Sequence, residues 1–199
     1  MKKLIWLMIA FVWWHSAMSQ SNGGLEQYYS MDKYAVAISP IAWYQSKSSW
    51  YMESRYNYEA PKTISVYAGK TFEHKAALSY EFTPMIGVLT GTLNGGSIAE
   101  NATIGYKKLL LSIQSQYTFS VQDRCQNFMY SWIDLGYDIL NGFSGGISLQ
   151  QTNVYQTNGD SQLGLFLKAE FGKWEFPLYL FNAKGNERSV VLGLNYTYK

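Results

Sequence analysis

Residues 162–198 place an apolar side chain at every second position through three successive runs. Leu163, Leu165, Leu167, Ala169 and Phe171 alternate with Gln162, Gly164, Phe166, Lys168 and Glu170. After the turn Phe171-Gly172-Lys173, Trp174, Phe176, Leu178 and Leu180 alternate with Glu175, Pro177, Tyr179 and Phe181. Beyond 182–188, Val190, Leu192, Leu194, Tyr196 and Tyr198 alternate with Val191, Gly193, Asn195 and Thr197. A period of two sends alternate side chains to opposite faces of a sheet, so these runs predict three consecutive β-strands.

The same unit recurs upstream. Residues 20–32 read as a polar lead-in, and 34–44 as the first strand. Pro40 inside it predicts a bulge or a missing ladder bond. In the strand 50–58, Trp50, Met52, Ser54, Tyr56 and Tyr58 oppose Tyr51, Glu53, Arg55, Asn57 and Glu59. Ala60-Pro61-Lys62 turns the chain into 64–69, and 70–75 reads as a loop. Residues 76–83 return, Pro84 marks a turn because it has no N–H to donate, and 85–92 forms a short strand. Asn94-Gly95-Gly96 is a turn signal, followed by strands 98–106 and 109–120 and a loop at 121–126. In the next strand Phe128, Tyr130 and Trp132 share a face, but the pattern slips by one to Ile133, Leu135 and Tyr137. That slip predicts a bulge or a pair of membrane-interface aromatics. Asn141-Gly142 is a hairpin signal, 147–152 alternates again, and Asn158-Gly159 turns into the closing unit. The count is twelve strands, or ten if 85–92 and a neighbour merge.

Composition says what kind of sheet this is. Charged residues are 15% of the 199, below the ~25% of soluble domains, whereas aromatics are 17%. Residues 1–19 read as a cleaved signal peptide: Lys2 and Lys3, an apolar run over 4–14, then Ala17-Met18-Ser19. That run is shorter than the ~20 residues a spanning helix needs. An exported chain with no other long apolar run and aromatic-rich alternating strands has one membrane option. A spanning sheet must close to satisfy its backbone. The expected fold is therefore all-β: an antiparallel up-and-down transmembrane β-barrel occupying 33–199 in the outer membrane of a Gram-negative bacterium. Strands of ~8–12 residues fit a tilted crossing, and an even count puts both termini on the periplasmic side. Trp43, Tyr44, Trp50, Tyr51, Phe171 and Trp174, next to turns, are the expected interface girdles.

Alternation leaves the direction of the faces open. The alternative is a soluble periplasmic barrel of lipocalin type, with leucines and tyrosines lining an apolar pocket and Glu53 and Arg55 in solvent. In the membrane reading the polar faces turn inward. The candidate lumen-lining residues are then Glu53, Arg55, Glu81, Gln114, Gln116, Lys168 and Glu170. They either pair into a plug or line a water-filled path for a small polar solute. Their mixed signs argue against strong ion selectivity.

Other chemistry is sparse. Removing Lys2 and Lys3 leaves 14 Lys+Arg against 14 Asp+Glu, a net charge of zero that argues against nucleic acid. The mature chain keeps one histidine, His74, and one cysteine, Cys125. No disulfide forms, and no His/Cys metal site or cofactor is expected. His74 with Ser79 is the candidate base–nucleophile pair of a barrel lipid hydrolase, a second alternative to the expectation of no enzyme activity. Arg124 beside Cys125 favours a thiolate there. The phosphate-cradling pattern is absent, since Trp174 follows Gly172-Lys173.

Three segments carry a resemblance: Thr83-Pro84-Met85-Ile86-Gly87, Phe128-Met129-Tyr130-Ser131-Trp132 and Tyr179-Leu180-Phe181-Asn182. Over 56–199 the chain resembles an uncharacterised porin-like group of small Gram-negative outer-membrane β-barrel proteins. The resemblance implies the barrel, contact with outer-membrane lipid and folding by the barrel-assembly machinery, and brings no activity with it. The usual terminal aromatic departs here, with Tyr198 followed by Lys199.

Overall fold

The computed structural model describes residues 21–33, 35–183 and 188–198. The stretch read as a signal peptide lies outside them. Thirteen strands form one sheet: β1 (Asn22–Met31), β2 (Val36–Gln45), β3 (Trp50–Tyr56), β4 (Thr63–Lys70), β5 (Phe72–His74), β6 (Leu78–Gly91), β7 (Gly95–Tyr106), β8 (Leu109–Ser120), β9 (Phe128–Leu140), β10 (Phe143–Val154), β11 (Asp160–Phe171), β12 (Trp174–Phe181) and β13 (Ser189–Tyr198). Neighbours in sequence pair antiparallel. β1 pairs with β13, and β4 pairs with β6, so the sheet closes on itself. β4 and β5 are two pieces of one stave, both laddered to β6 on either side of buried Thr71, whose hydroxyl lies 2.9 Å from that of Thr83. The result is an all-β, antiparallel, twelve-stave closed barrel.

The expected number of strands is reached by a different division of the chain. The segment read as a lead-in contains β1, which joins both ends of the barrel through nine ladder pairs with β13. Its outward positions Leu25, Gln27, Tyr29 and Met31 mix polar and apolar residues, which hid the period. Conversely, Pro84 does not end a strand. It sits inside the 14-residue β6 and opposite Glu100 of β7 in an unbroken register. The loop expected at 70–75 contains β5.

Proline acts on ladders instead of turns. The β2–β3 ladder starts at Ile41, immediately after Pro40. The β12–β13 ladder skips Phe176 and Pro177 between Glu175↔Asn195 and Leu178↔Leu192. The Pro177 ring occupies the space a Cβ on Gly193 would need, so glycine is required opposite it.

Alternation now has a direction. Along β11, Leu163, Leu165 and Leu167 are exposed while Gly164 and Phe166 are buried; along β3, Trp50, Met52 and Tyr56 are exposed while Glu53 and Arg55 are buried. The apolar side chains face out. This overturns the lipocalin alternative: the leucines do not line a pocket. One polar row interrupts the outer face, where Glu100, Ser115 and Ser131 are successive ladder neighbours and the two serine hydroxyls lie 3.0 Å apart.

Connections differ between the two ends. At the end carrying Asn22 and Tyr198 they run two to four residues (46–49, 75–77, 107–108, 141–142, 172–173). At the other end 92–94 is as short, but 57–62, 121–127 and 155–159 run five to seven residues.

Candidate functional site

The inward faces of β3, β4 and β8 meet across the barrel at Arg55. Arg55 and Glu53 are 4% and 5% exposed. The guanidinium Nε donates to Glu53 Oε1, Nη1 donates to Gln116 Oε1 on β8 at 2.6 Å, and Nη1 reaches Glu59 Oε1 at 3.5 Å. Its Cζ lies over the rings of Tyr58 (4.8 Å from the centroid) and Tyr67 (4.5 Å). A guanidinium suits this place: its planar fork bonds several acceptors and stacks on aromatics together. The acceptors are themselves held. Tyr51 and Asn101 donate to Glu53; Ser65 (2.8 Å) and Tyr67 (3.0 Å) donate to Glu59.

Glu59 and Tyr58 are not strand residues. They reach the lumen because the β3–β4 connection folds back over it. Asn57 takes φ 55°, a left-handed conformation that asparagine tolerates. Its side chain accepts from Lys62 N–H at 2.6 Å and donates to Ile38 C=O at 3.1 Å. The loop so pinned carries Tyr58 across the barrel, where its hydroxyl donates to Gln114 Oε1 (3.1 Å) and its ring meets Tyr130 edge-on at 5.8 Å. Tyr67 has room beneath Arg55 because its ladder partner is Gly87, where a Cβ would strike the ring.

A second cluster stands on β9 to β12. Trp132 Nε1 donates to Asp134 Oδ1 and to Ser148 Oγ, both at 2.9 Å, and Tyr179 Oη donates to Asp134 Oδ2 at 3.0 Å. Phe166, Phe181 and Val191 pack around Trp132. Tyr28 reaches it from β1, ring centroids 5.9 Å apart. The slip along β9 is therefore neither a bulge nor an interface pair. The register through it is unbroken on both sides, and Tyr130 and Trp132 point inward while Ile133, Leu135 and Tyr137 continue outward.

Between Trp132 and the end carrying the termini lies a cavity of about 180 Å³. It runs from Leu110, Asp138 and Ser144, close to two-residue turns, inward to Trp132 and Tyr179. Glu26, Glu175 and Asn195 line its side. Glu175 pairs with Lys168 at 3.1 Å and accepts from Asn195 Nδ2 at 2.9 Å; Glu26 accepts from Tyr28 Oη at 3.1 Å.

The seven residues singled out from the sequence thus fall in three places. Glu53, Arg55 and Gln116 are in direct contact, and Gln114 joins them through Tyr58. Lys168 lies in the cavity wall. Glu81 and Glu170 are exposed near the end carrying the termini, opposite Glu73 and Glu175 in their ladders. Sequence reading did not select Glu26, Tyr58, Glu59, Trp132, Asp134 or Asn195. Glu59 stood on the polar face of its run, and Asp134 and Asn195 on faces that alternation had already marked. Trp132 carried the opposite signal, an apolar residue on an inward face, and Tyr58 stood with the outward set of its run and reaches the lumen only through the folded-back connection.

Other expectations change. His74 and Ser79 do not form a pair. His74 sits opposite Tyr80, its ring stacked on that of Tyr80 at 5.6 Å, whereas Ser79 points to the other face and donates to Gly105 C=O at 3.3 Å. Adjacent positions on one strand face opposite ways, so the hydrolase alternative loses its constellation. Of the expected girdle, Trp50, Phe171 and Trp174 are exposed on the outer face. Trp43 and Tyr51 instead stack on each other inside, 6.1 Å apart. Cys125 lies in the β8–β9 connection, where Asp123 Oδ1 accepts its backbone N–H at 2.9 Å. The neighbouring Asp123 carboxylate holds the thiol above its ordinary range, contrary to the thiolate expected from Arg124.

No protein-family model matches the chain, and no curated sequence is similar to it. Solved structures do share its architecture. A KdgM porin in complex with disordered oligogalacturonate superposes with a TM-score of 0.64 at 11% identity, over 88% of this chain and 99% of that one. The NanC porin gives 0.54 at 9% identity, over 89% and 99%. The Acinetobacter baumannii outer membrane protein Omp33 gives 0.52 at 10% identity, over 90% and 98%. At these identities the likeness is one of fold: a closed antiparallel barrel of the kind built by outer-membrane porins.

Proposed function

We propose that this chain is a narrow outer-membrane channel for small polar solutes that prefers cations over anions. The observation that carries the reading is a closed barrel with an apolar outer face around a polar, partly bridged interior. Such an exterior suits lipid, and closure suits a bilayer because no strand edge is left unpaired. The interior collects Glu26, Glu53, Glu59, Asp134 and Glu175 against Arg55 and Lys168 among the described residues. Low-dielectric walls lined by one sign of charge concentrate the opposite ion. This is a stronger bias than the mixed signs of the seven sequence-selected residues suggested. It also separates the chain from an acidic cargo such as the oligogalacturonate bound by the KdgM porin. In planar bilayers under a salt gradient, the reversal potential is expected to show potassium several-fold more permeant than chloride. A potential of zero or of opposite sign refutes the selectivity.

The two-residue turns and both described termini lie at one end, which in outer-membrane barrels faces the periplasm. On this reading the barrel-assembly machinery inserts the chain with Cys125 at the cell surface. A membrane-impermeant maleimide should then label Cys125 on intact cells. Labelling only after lysis would invert the orientation. Because Asp123 raises the thiol's pKa, less thiolate is present at a given pH, so Asp123→Asn should react faster than the parent at pH 7.

A further inference from the structure

The cavity beside Trp132 has carboxylates with no counter-charge among the described residues. Of the four that line it, Glu175 is paired with Lys168, and Asp134 accepts from Trp132, Ser148 and Tyr179. Glu26 and Asp138 have no cation within ion-pair distance among the described residues. Glu26 is half-buried and accepts a hydrogen bond from the Tyr28 hydroxyl. A carboxylate withdrawn from water calls for a charged partner or several donors.

An independent observation points the same way. Asn195 stands opposite both Glu26 and Glu175 in the ladders and is only 8% exposed. Its amide orientation is fixed by chemistry: the atom meeting the Glu175 carboxylate and the Tyr28 hydroxyl must be Nδ2, the donor. Its Oδ1 is then a buried acceptor with no partner among the described residues. Buried polar atoms in native proteins almost always find one. A positively charged group that carries N–H donors would suit both Glu26 and the Asn195 carbonyl.

We infer that this cavity is a binding site for a small primary amine in its ammonium form. Its N–H groups would satisfy Glu26 and the Asn195 carbonyl, with the alkyl part against the rings of Tyr28 and Trp132, which also favour a nearby cation. Water fills about 30 Å³ per molecule, so 180 Å³ admits a solute that displaces several waters. The inference rests on the reading of the interior as a solute path, and gives that path a site with a stated chemistry.

The test is calorimetric titration of the detergent-solubilised barrel, its fold verified by heat-dependent gel migration, with n-butylammonium and with tetramethylammonium. The two carry equal charge and differ in N–H donors. Saturable 1:1 binding is expected for n-butylammonium, at least tenfold tighter than for tetramethylammonium. Glu26→Gln, which keeps the acceptor for Tyr28, and Asn195→Leu should each weaken it at least tenfold. Absence of saturable binding, equal binding of the two cations, or affinity unchanged in Glu26→Gln overturns the site. Failure of the channel reading looks different: a barrel that binds n-butylammonium but passes no current retains the site and loses the pore. One that conducts without binding retains the pore and loses the site.

Discussion

Replacing Arg55 with alanine should raise the conductance of the reconstituted barrel several-fold and lower the temperature at which its compact gel form is lost. Arg55 is the cation around which Glu53 and Glu59 are buried, and it ties β3 to Gln116 across the lumen. Its removal leaves two buried carboxylates uncompensated. Breaking a buried ion pair from one side costs about 3–5 kcal/mol. The barrel has a way to reduce that cost: Glu59 sits on a connection rather than a strand, so it can return to water if 57–62 lifts away. That movement withdraws Tyr58 from Gln114 and Tyr130 and opens the lumen where they now cross it. Arg55→Lys keeps the charge without the planar fork and should fall between the two. The check is single-channel recording beside a melting series of unboiled gel samples. Unchanged current in a folded Arg55→Ala barrel removes Arg55 from the solute path.

The second large effect concerns the outer face. Leu165→Arg should cost about 2–4 kcal/mol if the charge lies near the bilayer midplane, read as a lower denaturant midpoint for folding into lipid vesicles and less barrel in the outer-membrane fraction. Leu165 is mid-way along β11, 61% exposed, and flanked in the ladders by the apolar Ile147 and Leu180. For a barrel that spends its life in water, the same change is a surface substitution worth within about 0.5 kcal/mol. The two environments are thus separated by one substitution. A midpoint equal to the parent's would contradict the lipid-facing assignment.

Much of the wall is legible in the sequence. Alternation in 162–198 located β11, β12 and β13 almost to the residue, because a strand's two faces are a property of its own backbone. Asn141-Gly142 marked its hairpin for a similar reason: Gly142 takes φ 79°, which the local chemistry of that pair favours. Legibility failed where an inward face was not polar or an outward one not apolar. Trp132 and Tyr130 broke the binary pattern and simulated a slip. Gln27 diluted the outward face of β1, and the strand that closes the barrel passed for a lead-in. Pro84 misled because a missing donor matters only where a ladder bond is due, and β6 accommodates it in register.

The sequence by itself determined the period, the antiparallel order and most of the turns. These follow from interactions between residues a few positions apart. Three things were decided only by the tertiary structure. Alternation is symmetric about a sheet, so which face became the lumen shows only in the closed barrel, where Glu53 and Arg55 are buried while Trp50 and Met52 are exposed. The crossing of the lumen depended on Arg55 and Gln116, 61 positions apart in the chain, and on a loop folding inward. The amine site depended on Glu26 and Asn195 becoming ladder neighbours across the closure. Contacts at such separations form only when the barrel shuts, which is why no local pattern announces them.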